Sequence, residues 1–342
     1  MSKRIAVFNH KGGVSKTTSV YNIGWMLSKG HKVLVVDADP QCNLTSLILR
    51  EDFEKYYVED QTKNQNIKDG VSSAFLGRPH PIKPVECIAP SRAPNLYLLA
   101  GHANLSEFDA ALTFAQISNN AIATLQNLPG AFSELIRLTE EKYSIDFTII
   151  DLNPSLSAIN QNLFLSSDAF IVPTNPDPFS VMAIDTLTKT LPKWMAWKRA
   201  AMPMFADSAY PMSESEPKFL GSLIQRFNIR NGQAAAPYRN NISEIKSKIG
   251  SDFFAAMASS GMVLENGYDP EIASEGYCLA EIPDFQGLLP KAYAAEVPVF
   301  ELTDSEIREV GSVLDNMRTK RASLLDIFNE LTIKIENLLK YV

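Results

Sequence analysis

Cysteine is scarce in this sequence: three occur in 342 residues, at positions 42, 87 and 278, and no two of them form a CxxC pair. An odd number of widely spaced cysteines cannot all be bridged within one chain, which is typical of a reducing compartment. We therefore expect free thiols that are buried and pack as small apolar side chains.

Long apolar runs are absent as well, because no stretch approaches the ~20 residues that a membrane-spanning helix needs. A predicted strand begins already at Arg4, which leaves no room before it for a signal peptide or a helix-turn-helix domain. We expect a cytoplasmic protein. Positive charge is not in excess either, since the net charge is −7, so any binding to DNA requires a local basic patch.

The sequence is rich in short, apolar, β-branched runs that alternate with segments of helical periodicity. The runs cover residues 4–9, 33–37, 96–100, 147–151, 169–173, 219–225 and 279–283. Such strands predict an α/β fold with a twisted, mainly parallel sheet and helices on both faces. The composition, 45% hydrophobic and 21% charged, is that of a soluble, folded protein.

We predict one enlarged domain over residues 1–342. Two polar stretches, residues 51–92 and 202–218, are predicted to be insertions, and loops of this length are either functional or mobile. Residues 304–342 are predicted to be helical, with one apolar stripe that packs on the core. The stripe consists of Leu324, Ile327, Phe328, Leu331, Ile335, Leu338 and Leu339.

A glycine-rich segment, Lys11-Gly12-Gly13-Val14-Ser15-Lys16-Thr17-Thr18, lies between the first predicted strand and a predicted helix. A polyphosphate needs backbone N–H donors that converge at a helix N-terminus, and glycines let the backbone approach it. Lys16 is placed to reach the β- and γ-phosphates, and the Thr17 hydroxyl to bind Mg²⁺. We take Lys11 to replace the first glycine of the usual GxxxxGK[ST] spacing. The segment predicts a P-loop for a nucleotide with magnesium.

Aspartates follow two other predicted strands. Asp37 and Asp39 stand at the end of the second strand, and Asp151 ends the fourth. Ligands of open α/β sheets bind at these carboxyl ends, so all three are expected near the phosphates and Mg²⁺. We assign Asp39 to the metal site and to orienting the attacking water, with a loop cap as the alternative. Asp151 is predicted to hold Mg²⁺ directly or through water, and Asn153-Pro154 forms a stiff loop beside the γ-phosphate.

Together, KGGVSKTT at 11–18, DADPQCN at 37–43 and the strand that ends in Asp151 resemble the ParA family of deviant-Walker ATPases. Residues 170–173, 221–230 and 281–284 resemble later elements of that family, so the resemblance covers most of the chain. It implies an ATP-sandwiched homodimer in which Lys11 reaches into the partner's active site, while Lys16 and Thr17 serve their own subunit. It also implies weak Mg²⁺-dependent ATP hydrolysis that a ParB-like or adaptor protein stimulates.

The resemblance further places Gln225, Pro283 and Asp284 near the adenine. In one departure, Asn153 precedes Pro154 where the family often has Asp-x-Pro-Pro. ParA-like proteins bind DNA non-specifically as ATP dimers, so a nucleoid-associated positioner of plasmid, chromosome or protein cargo is the expected function. The candidate DNA-binding face combines residues 230–248 with the C-terminal helix. Its cations are Arg239, Lys246, Lys248, Arg318, Lys320 and Arg321.

Alternative functions remain open at this point. A nucleotide-dependent switch that binds a protein partner without DNA has the same motifs. A MinD-like membrane positioner needs a basic amphipathic tail, but residues 324–342 carry only Lys334 and Lys340 as cations, against three carboxylates. A nitrogenase-reductase-like protein needs cluster-binding cysteines, and the three cysteines do not supply that pattern. We therefore expect no membrane partner.

Overall fold

A parallel sheet forms the centre of the molecule, in a computed structural model that describes residues 2–118, 125–230 and 233–342. The described strands are β1 (Lys3–Val7), β2 (Val33–Ala38), β3 (Leu96–Leu99), β4 (Phe147–Leu152), β5 (Ala169–Thr174), β6 (Lys218–Gln225), β7 (Ile229–Arg230), β8 (Gln233–Ala234) and β9 (Cys278–Ile282). Seven of them pair in the order β3-β2-β4-β1-β5-β6-β9, and each neighbouring pair is parallel. The predicted α/β fold class is confirmed, and each predicted run forms a strand. The antiparallel β7–β8 hairpin was not predicted.

Helices flank this sheet. Those in the described part of the chain are α1 (Lys16–Leu27), α2 (Asn43–Leu49), α3 (Phe53–Tyr56), α4 (Ile67–Phe75), α5 (Asp109–Ile117), α6 (Leu128–Tyr143), α7 (Ala158–Leu165), α8 (Pro178–Ala201), α9 (Ala236–Lys248), α10 (Phe254–Ser259), α11 (Pro270–Ser274), α12 (Leu288–Ala294), α13 (Asp304–Ile307) and α14 (Gly311–Leu339). A π-helical turn, Ile249–Phe253, joins α9 to α10.

The core has two layers because successive side chains of a strand point to opposite faces of the sheet. In β1, Ile5 and Val7 pack into the layer that contains α1 and α14. Ala6 and the following Phe8 pack into the other layer, which contains α6, α7 and α8. Helices on both faces explain why the strands are apolar along their whole length.

The C-terminal helix α14 packs on the core through its apolar stripe and contacts α1 and β9. Its most buried stripe residues are Leu324, Phe328, Leu331, Ile335, Leu338 and Leu339, each at most 4% exposed. Ile327 is half-buried. Among the residues that the structure describes, no helix has both the length and the apolar character to cross a bilayer.

Residues 51–92 and 202–218 meet each other on the surface of the α6–α8 layer. The Tyr210 hydroxyl accepts a hydrogen bond from the Ile82 backbone N–H at 2.9 Å. Lys198 of α8 is buried and donates to the backbone oxygens of Leu165, at 2.7 Å, and of Ser215. Burial lowers the pKa of Lys198 to about 8. These contacts join the two polar stretches to each other and the second stretch to α8.

Candidate active site

A cavity of about 440 Å³ opens at the carboxyl edge of the sheet. Its wall follows the strand order from Asp39, after β2, past Pro154, after β4, to residues 13–18, after β1. Beyond them it is lined by Gln225, the last residue of β6, and the following Arg226. Ile282, the last residue of β9, and residues 283–285 and 289 complete the lining. This is the edge at which open α/β sheets bind their ligands.

The glycine-rich loop turns sharply before α1 begins at Lys16. Gly13 and Ser15 both have left-handed backbone conformations, with φ of 72° and 60°, and glycine adopts such a conformation more readily than serine. Counting back from Lys16, the GxxxxGK[ST] spacing puts its two glycine positions at His10 and Ser15. The interpretation that Lys11 replaces the first glycine is therefore wrong by one position.

Lys16 is buried at the start of α1. Its Nζ donates to the backbone oxygens of Asn9, at 2.9 Å, and Lys11, at 3.1 Å. Burial lowers the pKa of Lys16, while the nearby carboxylates of Asp151 and Asp39 raise it. Burial has the larger effect, so the pKa of Lys16 lies below its ordinary value.

A cation site fits between α1 and β4. Thr17 Oγ1 donates to Asp151 Oδ2 at 2.7 Å, while Asp151 Oδ1 is buried without a hydrogen-bond partner among the described residues. Burial raises the pKa of Asp151 well above its ordinary value, with Asp37 as the next cause. No cluster of three or more His, Cys, Asp or Glu side chains that could hold a metal occurs in the described residues. One carboxylate and one hydroxyl suit Mg²⁺, which keeps most of its ligands as water and phosphate oxygens.

The two aspartates after β2 differ in position. Asp37 is fully buried, and its Oδ2 accepts from the backbone N–H and the hydroxyl of Thr45 at 2.8 and 2.7 Å. Its Oδ1 accepts from the Asp39 N–H at 3.2 Å. The prediction that Asp37 faces the phosphates is therefore wrong. The Asp37 carboxylate is buried beneath the loop after β2 and fixes that loop through its hydrogen bonds to Asp39 and Thr45. Asp39 lines the cavity and accepts from the Gln41 N–H at 2.9 Å.

Lys11 is held by its own chain. Its Nζ forms an ion pair with Asp177 Oδ2 and donates to Ser180 Oγ at 3.1 Å. Asp177 is also the N-cap of α8, because its Oδ1 accepts from the Ser180 N–H at 2.9 Å. No local sequence pattern indicates this contact, because Asp177 lies 166 positions away from Lys11.

The loop after β4 is fixed by Asn160 of α7, which the sequence analysis also missed. Asn160 Nδ2 donates to the backbone oxygens of Asn153, at 2.8 Å, and Ser155, at 2.7 Å. Pro154 lies between them, and its Cβ is 3.9 Å from the position that a Cβ on Gly12 would occupy. Asn160 thus holds this loop against the P-loop.

The residues that the resemblance placed near the adenine all line the cavity, but they differ in availability. Gln225 is buried, and its Nε2 donates to Ser19 Oγ at 2.7 Å and to the Val14 backbone oxygen at 3.4 Å. Its amide N–H groups thus tie β6 to α1. Pro283 and Asp284 lie in the loop after β9, and the Asp284 N–H donates to the Phe227 oxygen at 2.9 Å.

The predicted DNA-binding cations are largely neutralised. Four of the six contact carboxylates: Lys246 (Glu275 and Glu281), Lys248 (Asp185 and Asp252), Arg318 (Asp304 and Asp315) and Arg321 (Asp304). Arg239 and Lys320 donate to the side-chain amide oxygens of Gln233 and Gln286. Two residues of the candidate face, 231 and 232, lie outside the described part of the chain. The described residues therefore do not form a free cationic surface here.

Comparisons with known proteins connect this geometry to a family. A family model described as AAA domain matches residues 2–202. The chain is 28% identical over 198 residues to the sporulation initiation inhibitor protein Soj of Bacillus subtilis. The matched segment covers 56% of this chain and 65% of Soj. The chain spans about half to two thirds of the length of the curated relatives that it matches.

Two solved structures share the fold along nearly the whole chain. The structure of pNOB8 ParA bound to nonspecific DNA matches with a TM-score of 0.56 at 16% identity, over 99% of each chain. The Cyanothece McdA–ATP complex matches with a TM-score of 0.57 at 16% identity, over 98% of this chain and 96% of McdA.

Proposed function

We propose, from the premise that this chain belongs to the AAA domain family matched by its residues 2–202, that it is a ParA-type ATPase. It binds Mg²⁺ and ATP, hydrolyses ATP slowly, dimerises in the ATP-bound state and binds DNA without sequence preference to position a cargo. The McdA structure is an ATP complex, and the pNOB8 ParA structure is bound to nonspecific DNA, which supports the same ligand classes here.

One observation carries the nucleotide part of the proposal. Lys16, Thr17 and Asp151 converge where the loop of residues 11–18 meets the N-terminus of α1, and one Asp151 oxygen has no hydrogen-bond partner in the described part of the chain. Backbone N–H groups and a cation at a helix N-terminus bind phosphates, and Mg²⁺ completes the charge balance on the β- and γ-phosphates. Asp39, which lines the same cavity, is the candidate to orient the attacking water.

Exposed apolar side chains around Lys11 support the homodimer. Phe179 and Met182 stand on the first turns of α8, directly after Asp177, and are 69% and 64% exposed. Leu156, in the loop that Asn160 holds, is 42% exposed. Large apolar side chains grouped near a catalytic edge are typical of an interaction surface. We infer that a second copy covers these side chains, and the resemblance to the ParA family implies that the Lys11 of that copy then reaches this cavity.

The membrane alternative has little structural support. The apolar stripe of α14 is buried against α1 and β9, so it is not free to enter a bilayer. The protein-switch alternative is favoured by one observation, the neutralisation of the predicted DNA-binding cations. DNA binding is thus the part of the proposal that most needs a direct test.

The test uses Asp39→Ala, which should bind ATP, fail to hydrolyse it and persist as a dimer. We expect this variant, with Mg²⁺ and ATP, to elute as a dimer and to be retained on random-sequence DNA at low salt. Its affinity should fall as salt rises, because each neutralised phosphate releases counterions. Lys16→Ala, which should not bind ATP, is the control. A trapped dimer that ignores DNA at low salt would favour the protein switch.

A further inference from the structure

Arg226 is a cation at the cavity to which none of the motifs gives a role. It directly follows β6, is exposed, and lines the cavity wall. Its Nη1 donates to the Gly13 backbone oxygen at 3.3 Å, so the guanidinium reaches the P-loop. Its backbone is held in a left-handed conformation, with φ of 62°, by a hydrogen bond from its N–H to the Ile282 oxygen at 3.1 Å. The side chain is therefore fixed at its base, and a long hydrogen bond to Gly13 holds its tip at the P-loop.

The position of Arg226 lies between two chemically different parts of the cavity. On one side stand Gly13 and the rest of the P-loop, which fits the β- and γ-phosphates. On the other side stand Ile282, Phe285 and Leu289, an apolar wall that fits a base. A nucleotide that spans both parts places its α-phosphate and ribose beside Arg226.

The partners of the polar side chains at the cavity also favour Arg226 as a phosphate-binding residue. Lys11 is engaged by Asp177, so Lys16 is the P-loop lysine that remains for the β- and γ-phosphates. The Gln225 amide is engaged with Ser19 and Val14. Within the described part of the chain, Arg226 gives up only a long hydrogen bond to a neutral backbone oxygen when it turns to an anion. A guanidinium binds phosphate oxygens through charge-assisted hydrogen bonds, which are stronger than the bond it would leave.

We propose that Arg226 binds the α-phosphate of the nucleotide from within the same subunit. The inference rests on the nucleotide site proposed above. It assigns Arg226 to nucleotide affinity, and it makes that contribution independent of the base and of the γ-phosphate.

The experiment measures competition of ATP, ADP, AMP and adenosine against a fluorescent ADP analogue. It compares the wild type with Arg226→Gln and Arg226→Lys. The matched control is Arg78→Ala, since Arg78 is exposed and has no side-chain partner among the described residues. We expect Arg226→Gln to weaken ATP, ADP and AMP by one common factor of about ten or more, and to leave adenosine unchanged. Arg226→Lys should restore part of the loss, and the factor should shrink as salt rises.

Other outcomes separate this inference from the proposed function. An equal loss for adenosine would assign Arg226 to the base or ribose and overturn the inference, as would no loss at all while the wild type binds ATP. A wild type that binds none of the nucleotides would remove both the inference and the ATPase proposal. A lower thermal stability of the unliganded Arg226→Gln variant does not affect the conclusion, because the affinities of AMP and adenosine are compared within that one variant.

Discussion

The contact between Lys11 and Asp177 predicts that the chain restrains its own dimerisation. A lysine that acts in the partner's active site must first leave its own Asp177 and Ser180. Asp177→Asn removes the charge of this partner but keeps a good N-cap for α8, because asparagine caps helices as well as aspartate. We expect this variant to form the ATP-bound dimer more readily than the wild type.

The expected change in the free energy of dimerisation follows from how exposed the Lys11–Asp177 ion pair is. The side chains of Lys11 and Asp177 are 19% and 34% exposed, so solvent screens the ion pair in part. We assign it about 1 kcal/mol, the upper end for such pairs. Each dimer requires two lysines to be released, which gives about 2 kcal/mol, or roughly a 30-fold lower Kd for dimerisation. Analytical ultracentrifugation of the ATP-trapped protein over a concentration series measures this value.

The matched control is Asp185→Asn. Asp185 lies on the same helix and pairs with Lys248 at 2.7 Å, but its lysine is not part of the P-loop. That variant should leave the Kd for dimerisation unchanged. The reasoning fails if Asp177→Asn is folded and binds ATP yet dimerises no better than the wild type.

Three further predictions concern the site and its support. Lys16→Ala should abolish ATP binding in calorimetry, whereas Thr17→Ala should mainly weaken its dependence on Mg²⁺. Asn160→Leu should lower kcat more than it changes the Kd for ATP, because the loop that Asn160 holds is displaced while the phosphate cradle stays intact. Lys198 has a folded pKa of about 8 against 10.5 when free, so the unfolded chain binds more protons between these values. The free energy of unfolding should therefore rise from pH 8 to pH 10, by at most about 3 kcal/mol, and Lys198→Met should flatten this rise in urea titrations.

Much of the fold was predictable because its signals are local. An apolar run of five to seven residues forms a buried parallel strand whichever strands flank it, so all seven runs were found. The order of the strands could not be predicted, because pairing depends on contacts between distant parts of the chain. The P-loop was likewise found from local spacing, and the resemblance to the ParA family is confirmed by the family model and relatives such as Soj.

The parts of the site that sequence reasoning missed depend on long-range contacts. Asp37 and Asp39 stand at the same strand end, and only the packing of Thr45 decides that Asp37 is buried and Asp39 lines the cavity. Asn160 has no motif of its own, because its role comes from the backbone oxygens that the loop after β4 presents to it. The residue types at these positions can be read from the sequence, but their hydrogen-bond partners cannot.

The ion pairs of the predicted DNA-binding cations could not be predicted from the sequence either. They change what DNA binding through these cations requires. Lys246 pairs with Glu275 and Glu281, which belong to elements far from it in the sequence. Arg318 pairs with Asp304 of α13 and also with Asp315 of its own helix, so distant and local carboxylates both contribute. A phosphate that binds such a cation must displace a carboxylate, which then becomes solvated. Part of the electrostatic gain is lost in that exchange, and a displaced carboxylate recruits counterions of its own. DNA binding through these cations should therefore show a salt dependence below the slope of about 0.9 per phosphate contact that free lysines and arginines give.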